Sequence, residues 1–230
     1  MIVVAGSRFD AAARELVEQW PGGEAQLLTA DDLTTAGWRW TNEAPSEGTA
    51  VVSGRRVRVQ SIRGVLTRRP AVLPQELVTI AEADRCYVAA EITAFLMAWL
   101  SSLSCPVLNR PQGGCLSGPN WRIDQWLRTA SSIGIPVRPI VRAVPAPAPG
   151  PVREAPSHRL DRVVVVGSEV FGDISAARAD EARRLAFAAG VELLEAQFHG
   201  PELTAATCWP DLRAPRTFQA VVGYFAGTAT

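Results

Sequence analysis

"MIVVAGSRFDAAARELVEQWPGGEAQLLTA", residues 1–30, is the stretch whose reading decides the fold. "MIVVAG" is an apolar run short enough for a buried strand, and it stops at a glycine turn. "DAAARELVEQW" follows at helical spacing, and "EAQLLTA" returns as a second strand. A strand, a helix and a strand in that order predict a parallel sheet with a right-handed crossover. Gly6 stands alone at the first turn, so no GxGxxG pattern forms and a dinucleotide fingerprint is absent.

Working outward, "TAVVSGRRVRVQ" (49–60) alternates about Ser53-Gly54, a hairpin signal. "IRGVLTRRP" (62–70) is a further strand stopped by Pro70. The run from Pro74 to Leu103 then carries Val88, Ile92, Phe95, Leu96, Trp99 and Leu103 near one helical face. "CPVLNRP" (105–111) and "IPVRPIV" (135–141) are short strands. Between them "GPNWRIDQWLRTA" (118–130) opens a helix with Asn120 as its expected cap. Residues 143–157 alternate Pro and Ala, a composition that favours extended, stiff chain. Beyond them come a strand, a Gly167-Ser168 turn, a second strand, a helix closed by Gly190 and another strand. "FQAVVGYF" (218–225) is expected as the last strand. The layout is α/β: a domain over 1–142, a Pro/Ala-rich linker over 143–160 and a small α/β remainder over 161–230.

Composition narrows the function. The 230 residues are 47% hydrophobic and 20% charged with net charge zero, which argues against a nucleic-acid binder held by bulk charge. All 23 basic residues are arginine; the chain contains no lysine. The N-terminus lacks the layout of a signal peptide, and "CYVAAEITAFLMAWLSSLSC" is broken by Glu91 and serines, so no membrane span is expected. Cys86, Cys105, Cys115 and Cys208 are scattered without a CxxC pair, which fits reduced thiols in a cytoplasmic protein. His158 and His199 read as loop residues without the spacing of a metal or triad site.

Taken together, "GVLTRRP", "AAEITAFLMAWLSSL", "CPVLNRP" and "PNWRIDQWLRTASSIGIPVRP" resemble, in that order, the N-terminal half of ATP-grasp peptide ligases. The nearest kinds are those that tailor ribosomal peptides and those that add glutamate to ribosomal proteins. "RVVVVGSEVFGDI" and "EARRLAFAAGVELLEAQF" resemble pieces of the C-terminal lobe. The resemblance implies an N-terminal Rossmann-like pre-ATP-grasp domain and a shortened C-terminal ATP-grasp-like lobe. It also implies chemistry in which cations hold a triphosphate and carboxylates hold Mg²⁺. This sequence departs from that pattern. Trp121 stands where the family commonly has a lysine. Only the Pro/Ala bridge lies between Val141 and Asp161, where a second lysine and a glycine-rich lid belong. "TFQAVVGYFAG" (217–227), in the place of the family's metal-binding strand, has neither carboxylate nor asparagine.

The expectation is therefore an accessory protein with no catalytic residue, no metal and no cofactor. It would bind a peptide substrate or a partner biosynthetic enzyme, self-association being possible, without nucleic acid or membrane. A split ATP-dependent ligase completed by a partner and a small-molecule-binding domain are the alternatives. The binding candidates are Arg68, Arg69, Glu91, Asn120, Trp121, Gln125 and Arg128. Arg68 and Arg69 end a strand, where an open α/β sheet forms its ligand crevice, and read either as anion binders or as ion pairs with Glu91. Trp121 lies about 160° from Ile123 on an ideal helix, with Gln125 and Arg128. It reads either as packing on the C-terminal part or as an exposed anchor. Trp38, Trp40 and Trp209 are either core edges or extensions of a binding surface.

Overall fold

The computed structural model describes residues 1–140 and 160–227. The expected β-α-β start is present: β1 (Ile2–Ala5), α1 (Ala11–Glu18) and β2 (Ala25–Leu28). Asp10 caps α1 by accepting from the Ala13 amide at 3.1 Å. A short α2 (Ala30–Leu33) leads to the hairpin β3 (Thr49–Val52) and β4 (Arg55–Arg58), which turns at Ser53-Gly54 as the alternation predicts. β5 (Gly64–Thr67), α3 (Arg85–Ser102) and β6 (Val107–Leu108) complete a four-stranded parallel sheet in the order β2-β1-β5-β6. All four β1 residues are buried, because both faces of this sheet are covered. Val3, Ala5, Val65 and Val107 meet α3 and the hairpin; Ile2, Val4, Leu66 and Leu108 meet α1 and a helix from the far end of the chain.

The long helix begins at Arg85, later than Pro74, because residues 74–76 and 82–84 are tighter turns. The Glu76 side chain folds back on the Leu73 amide at 3.0 Å, a local bond that competes with helix continuation. Once formed, α3 buries Leu96, Trp99 and Leu100, with Trp38 edge-on to Trp99 at 5.3 Å. Trp38 and Trp40 are thus core edges.

The second half is antiparallel. β7 (Leu160–Val166), β8 (Glu169–Phe171), β9 (Leu193–His199) and β10 (Glu202–Thr207) run in the order β10-β9-β7-β8. Helices α4 (Ile123–Ser132) and α5 (Ala176–Ala189) cover one face, burying Trp126, Leu127 and Ala130 against Val163, Val165, Leu194 and Phe198. Gly190 ends α5 in the left-handed region, as expected of a helix stop. Residues 135–141 form no strand among the described residues; Val137 makes one parallel bridge to Leu203. His199 is the last residue of β9, not a loop residue. His158 and most of the Pro/Ala bridge lie outside the described residues.

One expected strand is a helix. Residues 215–226 form α6 (Pro215–Ala226). Phe218, Val221, Val222 and Phe225 recur at 3.6-residue spacing, Pro215 opens the first turn and Gly227 closes the last in the left-handed region. Phe218, Val221 and Phe225 pack among Ile2, Val4, Trp20 and Leu66 of the first half and Val166 and Leu193 of the second. Phe225 lies on Gly64 so closely that a Cβ there would overlap its ring. Truncating a ring buried this way costs about 3–5 kcal/mol. Asn109, fully buried after β6, ties the same seam: its Oδ1 accepts from the Glu192 and Leu193 amides at 2.9 and 2.8 Å, and its Nδ2 donates to the Leu193 carbonyl at 2.8 Å. The two sheets share one interior.

Candidate functional site

At the C-terminal ends of the parallel strands, the two arginines carry different loads. Arg68 donates from Nε to Asp10 Oδ2 at 3.1 Å, so one carboxylate both caps α1 and holds the arginine. Arg69 is 3% exposed. Its Nη1 donates to the Gly6 carbonyl at 3.2 Å and its Nε to the Ala71 carbonyl at 3.1 Å, while Nη2 pairs with Glu76. Burial lowers the Arg69 pKa from its ordinary value and Glu76 opposes the shift, so the guanidinium stays charged. Removing either partner would strand a buried charge, a loss of about 3–5 kcal/mol. The expected pairing with Glu91 does not occur. Glu91 faces solvent on α3, and Glu76 and Asp10 are the partners because the turn at 74–76 and the start of α1 bring them to the strand ends.

The α4 opening also differs from expectation. Arg122, not Asn120, is the residue before the first helical turn, and its amide donates to Gln125 Oε1 at 2.9 Å. Asn120 is exposed. Trp121 precedes the helix, so its expected position on the helical face with Gln125 and Arg128 does not arise. It is half-buried, edge-on to Trp126 with ring centroids 4.8 Å apart, against the core of the second sheet. Ile123 is 42% exposed, whereas Trp126 is buried. Gln125 and Arg128 are exposed; Arg128 edges a shallow cavity of about 230 Å³ with Leu127 and Ile140. Trp209 is partly exposed.

A site without any sequence candidate lies on the other face of the antiparallel sheet. Helices α4 and α5 cover one face; α6 packs on part of the other, in the cluster that holds Val164, Val166, Phe171 and Leu193. The remainder opens into a cavity of about 290 Å³ lined by Arg162 of β7, Asp173 after β8, Glu195 of β9, Asp211, and Arg216 in the first turn of α6. Strand register explains the grouping. Arg162 stands opposite Gln197, Val164 opposite Glu195, and Ala205 and Thr207 flank the same two β9 residues from β10. Glu195 is 6% exposed, and its Oε1 accepts from Gln197 Nε2 at 2.9 Å. Asp211 receives Nε and Nη2 of Arg213 at 2.8 and 3.0 Å, and those hydrogen bonds hold its carboxyl down at about 2. The alternation in "LLEAQF" carries the signal that could have found this face: Glu195 and Gln197, two apart in a strand, must share one side.

Does this face suit a triphosphate and its metal? Expected ligands for Mg²⁺ are oxygen donors including carboxylates, with cations on the phosphates. Across β7, β9 and β10 the open face presents Glu195 and Glu202 with Arg162, Gln197, His199 and Thr207, and Asp173, Asp211 and Arg216 join Arg162 and Glu195 around the cavity. Among the described residues no group of three or more His, Cys, Asp or Glu side chains is placed to hold a metal. Judged by those donors, no metal cluster is built on this face among the described residues. The absence of carboxylates in 217–227 carries no weight in that judgement, because those residues are a helix rather than a metal-binding strand.

No helix among the described residues is long and apolar enough to cross a membrane. The sequence matches no family model and no curated protein. Solved structures do share its fold. The ATP-grasp ligase PsnB, complexed with a phosphomimetic variant of a minimal precursor, Mg and ADP, is 13% identical with a TM-score of 0.72, over 100% of this chain and 97% of that one. The macrocyclase MdnC from Microcystis aeruginosa MRC, bound with the precursor peptide MdnA, is 10% identical with a TM-score of 0.68, over 99% and 100%. A Chryseobacterium gregarium RiPP-associated ATP-grasp ligase in complex with ADP and a leader and core peptide is 9% identical with a TM-score of 0.65, over 100% and 97%. The chain is a mixed α/β protein with the fold of these ATP-grasp ligases.

Proposed function

We propose that the chain is a non-catalytic ATP-grasp-like accessory protein that binds a peptide substrate, or docks on a partner maturation enzyme, in ribosomal-peptide or natural-product tailoring. In this reading residues 1–142 are the pre-ATP-grasp-like domain, 143–160 the linker and 161–230 a shortened lobe. The observation that carries it is the open face of the second sheet. It keeps the strand scaffold, but among the described residues no group of three or more His, Cys, Asp or Glu side chains is placed to hold a metal, and the chain has no lysine for the phosphates. The fold supports the peptide half of the reading, because the similar ligases are described in complex with precursor or leader peptides. Fold alone does not assign function, so the reading rests on the site. The exposed Asn120, Gln125 and Arg128 are the surface we assign to peptide or partner contact.

The test is to incubate the purified chain with ATP, Mg²⁺ and the peptide encoded beside it, following ADP release and peptide binding together. The expected result is peptide capture at micromolar affinity, about −8 kcal/mol, without ADP above the enzyme-free control. ADP release that tracks protein concentration overturns the reading.

A further inference from the structure

We propose that the 290 Å³ cavity on the open face of the antiparallel sheet is a peptide subsite for a basic side chain next to an acidic one, with the cationic group on Glu195 and the carboxylate on Arg216. This deepens the peptide-binding reading and rests on it. Glu195 is more than nine-tenths buried and lines the cavity, yet among the described residues only its Oε1 has a hydrogen-bond donor, the Gln197 amide. An ionised carboxylate drawn this far out of water gains strongly from a charged donor that completes its shell. Neither Arg162 nor Arg216 forms an ion pair among the described residues, although both line the same cavity. Arg216 also sits in the first turn of α6, whose leading residue Ala214 supplies no side-chain cap. The amides of that turn add partial positive charge at the end of the cavity where a carboxylate would rest.

Size selects the ligand. At about 290 Å³ the cavity lies at the lower limit of ligand pockets, roughly 300–1,000 Å³. That suits one or two side chains. Charge selects it further, since a purely cationic ligand meets Arg162 and Arg216, and a purely anionic one meets Glu195, Asp173 and Asp211. A neighbouring Arg or Lys and Asp or Glu satisfies both ends.

The probe is N-acetyl-Arg-Asp-amide, titrated into the full ¹⁵N-labelled chain, with N-acetyl-Gln-Asn-amide as the uncharged control. The Glu195 and Gln197 amides should shift with a Kd of about 0.1–10 mM, at least about tenfold tighter than the control. Glu195→Gln and, on the accessible helix turn, Arg216→Gln should each weaken binding about tenfold; the second keeps the test informative if the first misfolds. The proposal is overturned if the control binds equally, if neither variant loses affinity, or if Mg²⁺ rather than the dipeptide shifts Glu195. Capture of the longer peptide with equal affinity by wild type and Glu195→Gln overturns this subsite alone. ADP release overturns the accessory reading and leaves the dipeptide affinities standing.

Discussion

Replacing Asn109 should uncouple the two halves of this protein. Its side chain makes three hydrogen bonds, at 2.9, 2.8 and 2.8 Å, to the backbone of residues 192 and 193. Those residues are more than 80 positions away in sequence and open the central strand β9 of the other sheet. Asn109→Ala leaves two amides and a carbonyl without partners in a buried seam. Each such group costs about 1–3 kcal/mol when unsatisfied, less where water enters the space. Non-additivity within one network brings the expected loss to about 3–5 kcal/mol, a large share of the stability of a single domain. Asn109→Leu refills the volume and keeps water out, so it should be no less damaging than alanine. Urea unfolding followed by tryptophan fluorescence and far-UV circular dichroism measures both. The wild type should unfold in one coincident transition, and the variants at a much lower midpoint. A loss below about 1 kcal/mol for both variants would refute the stitch as a source of stability.

Trp121→Ala should lower stability by about 2 kcal/mol, since the variant loses a half-buried ring and its edge-to-face contact with Trp126. An unchanged urea midpoint would return Trp121 to the role of a free docking anchor. Among the thiols, Cys86 is exposed, whereas burial pushes Cys208 up to about 12 and raises Cys115. A thiol-labelling time course at pH 8 should therefore modify Cys86 first and leave Cys115 and Cys208 for the unfolded protein. Because the folded-state pKa of Cys208 is raised, its stabilising effect is complete below the unfolded value near 9 and declines as pH climbs toward 12. Unfolding midpoints measured from pH 8 to 11 should fall, and the Cys208→Ala variant should fall less steeply.

Much of the frame was legible because it is local. Alternation about Ser53-Gly54, the apolar run at β1 and the Gly190 stop each set backbone geometry through their own residues, whatever surrounds them. The 218–225 segment was misread as a strand for a physical reason: a short apolar run has two periodicities open to it, and packing against both sheets selects one. Pro215 and Gly227 were the local marks of a helix, but they weigh little against a run of Val and Phe. Partner choice was not legible at all. Arg69 had carboxylates available at Glu76 and Glu91, and only the turn that places Glu76 at the strand end settles which one is buried with it.

The sequence by itself determined the β-α-β start, the hairpin about Ser53-Gly54 and the lack of lysine, because these reside in neighbouring residues and in composition. The tertiary structure alone decided that Asn109 fastens one sheet to the other and that Trp121 folds onto Trp126. It also decided that Arg162, Glu195 and Arg216 line one cavity. Those outcomes depend on strand register and on which face a helix covers, so residues tens of positions apart acquire a common environment only when the chain closes on itself.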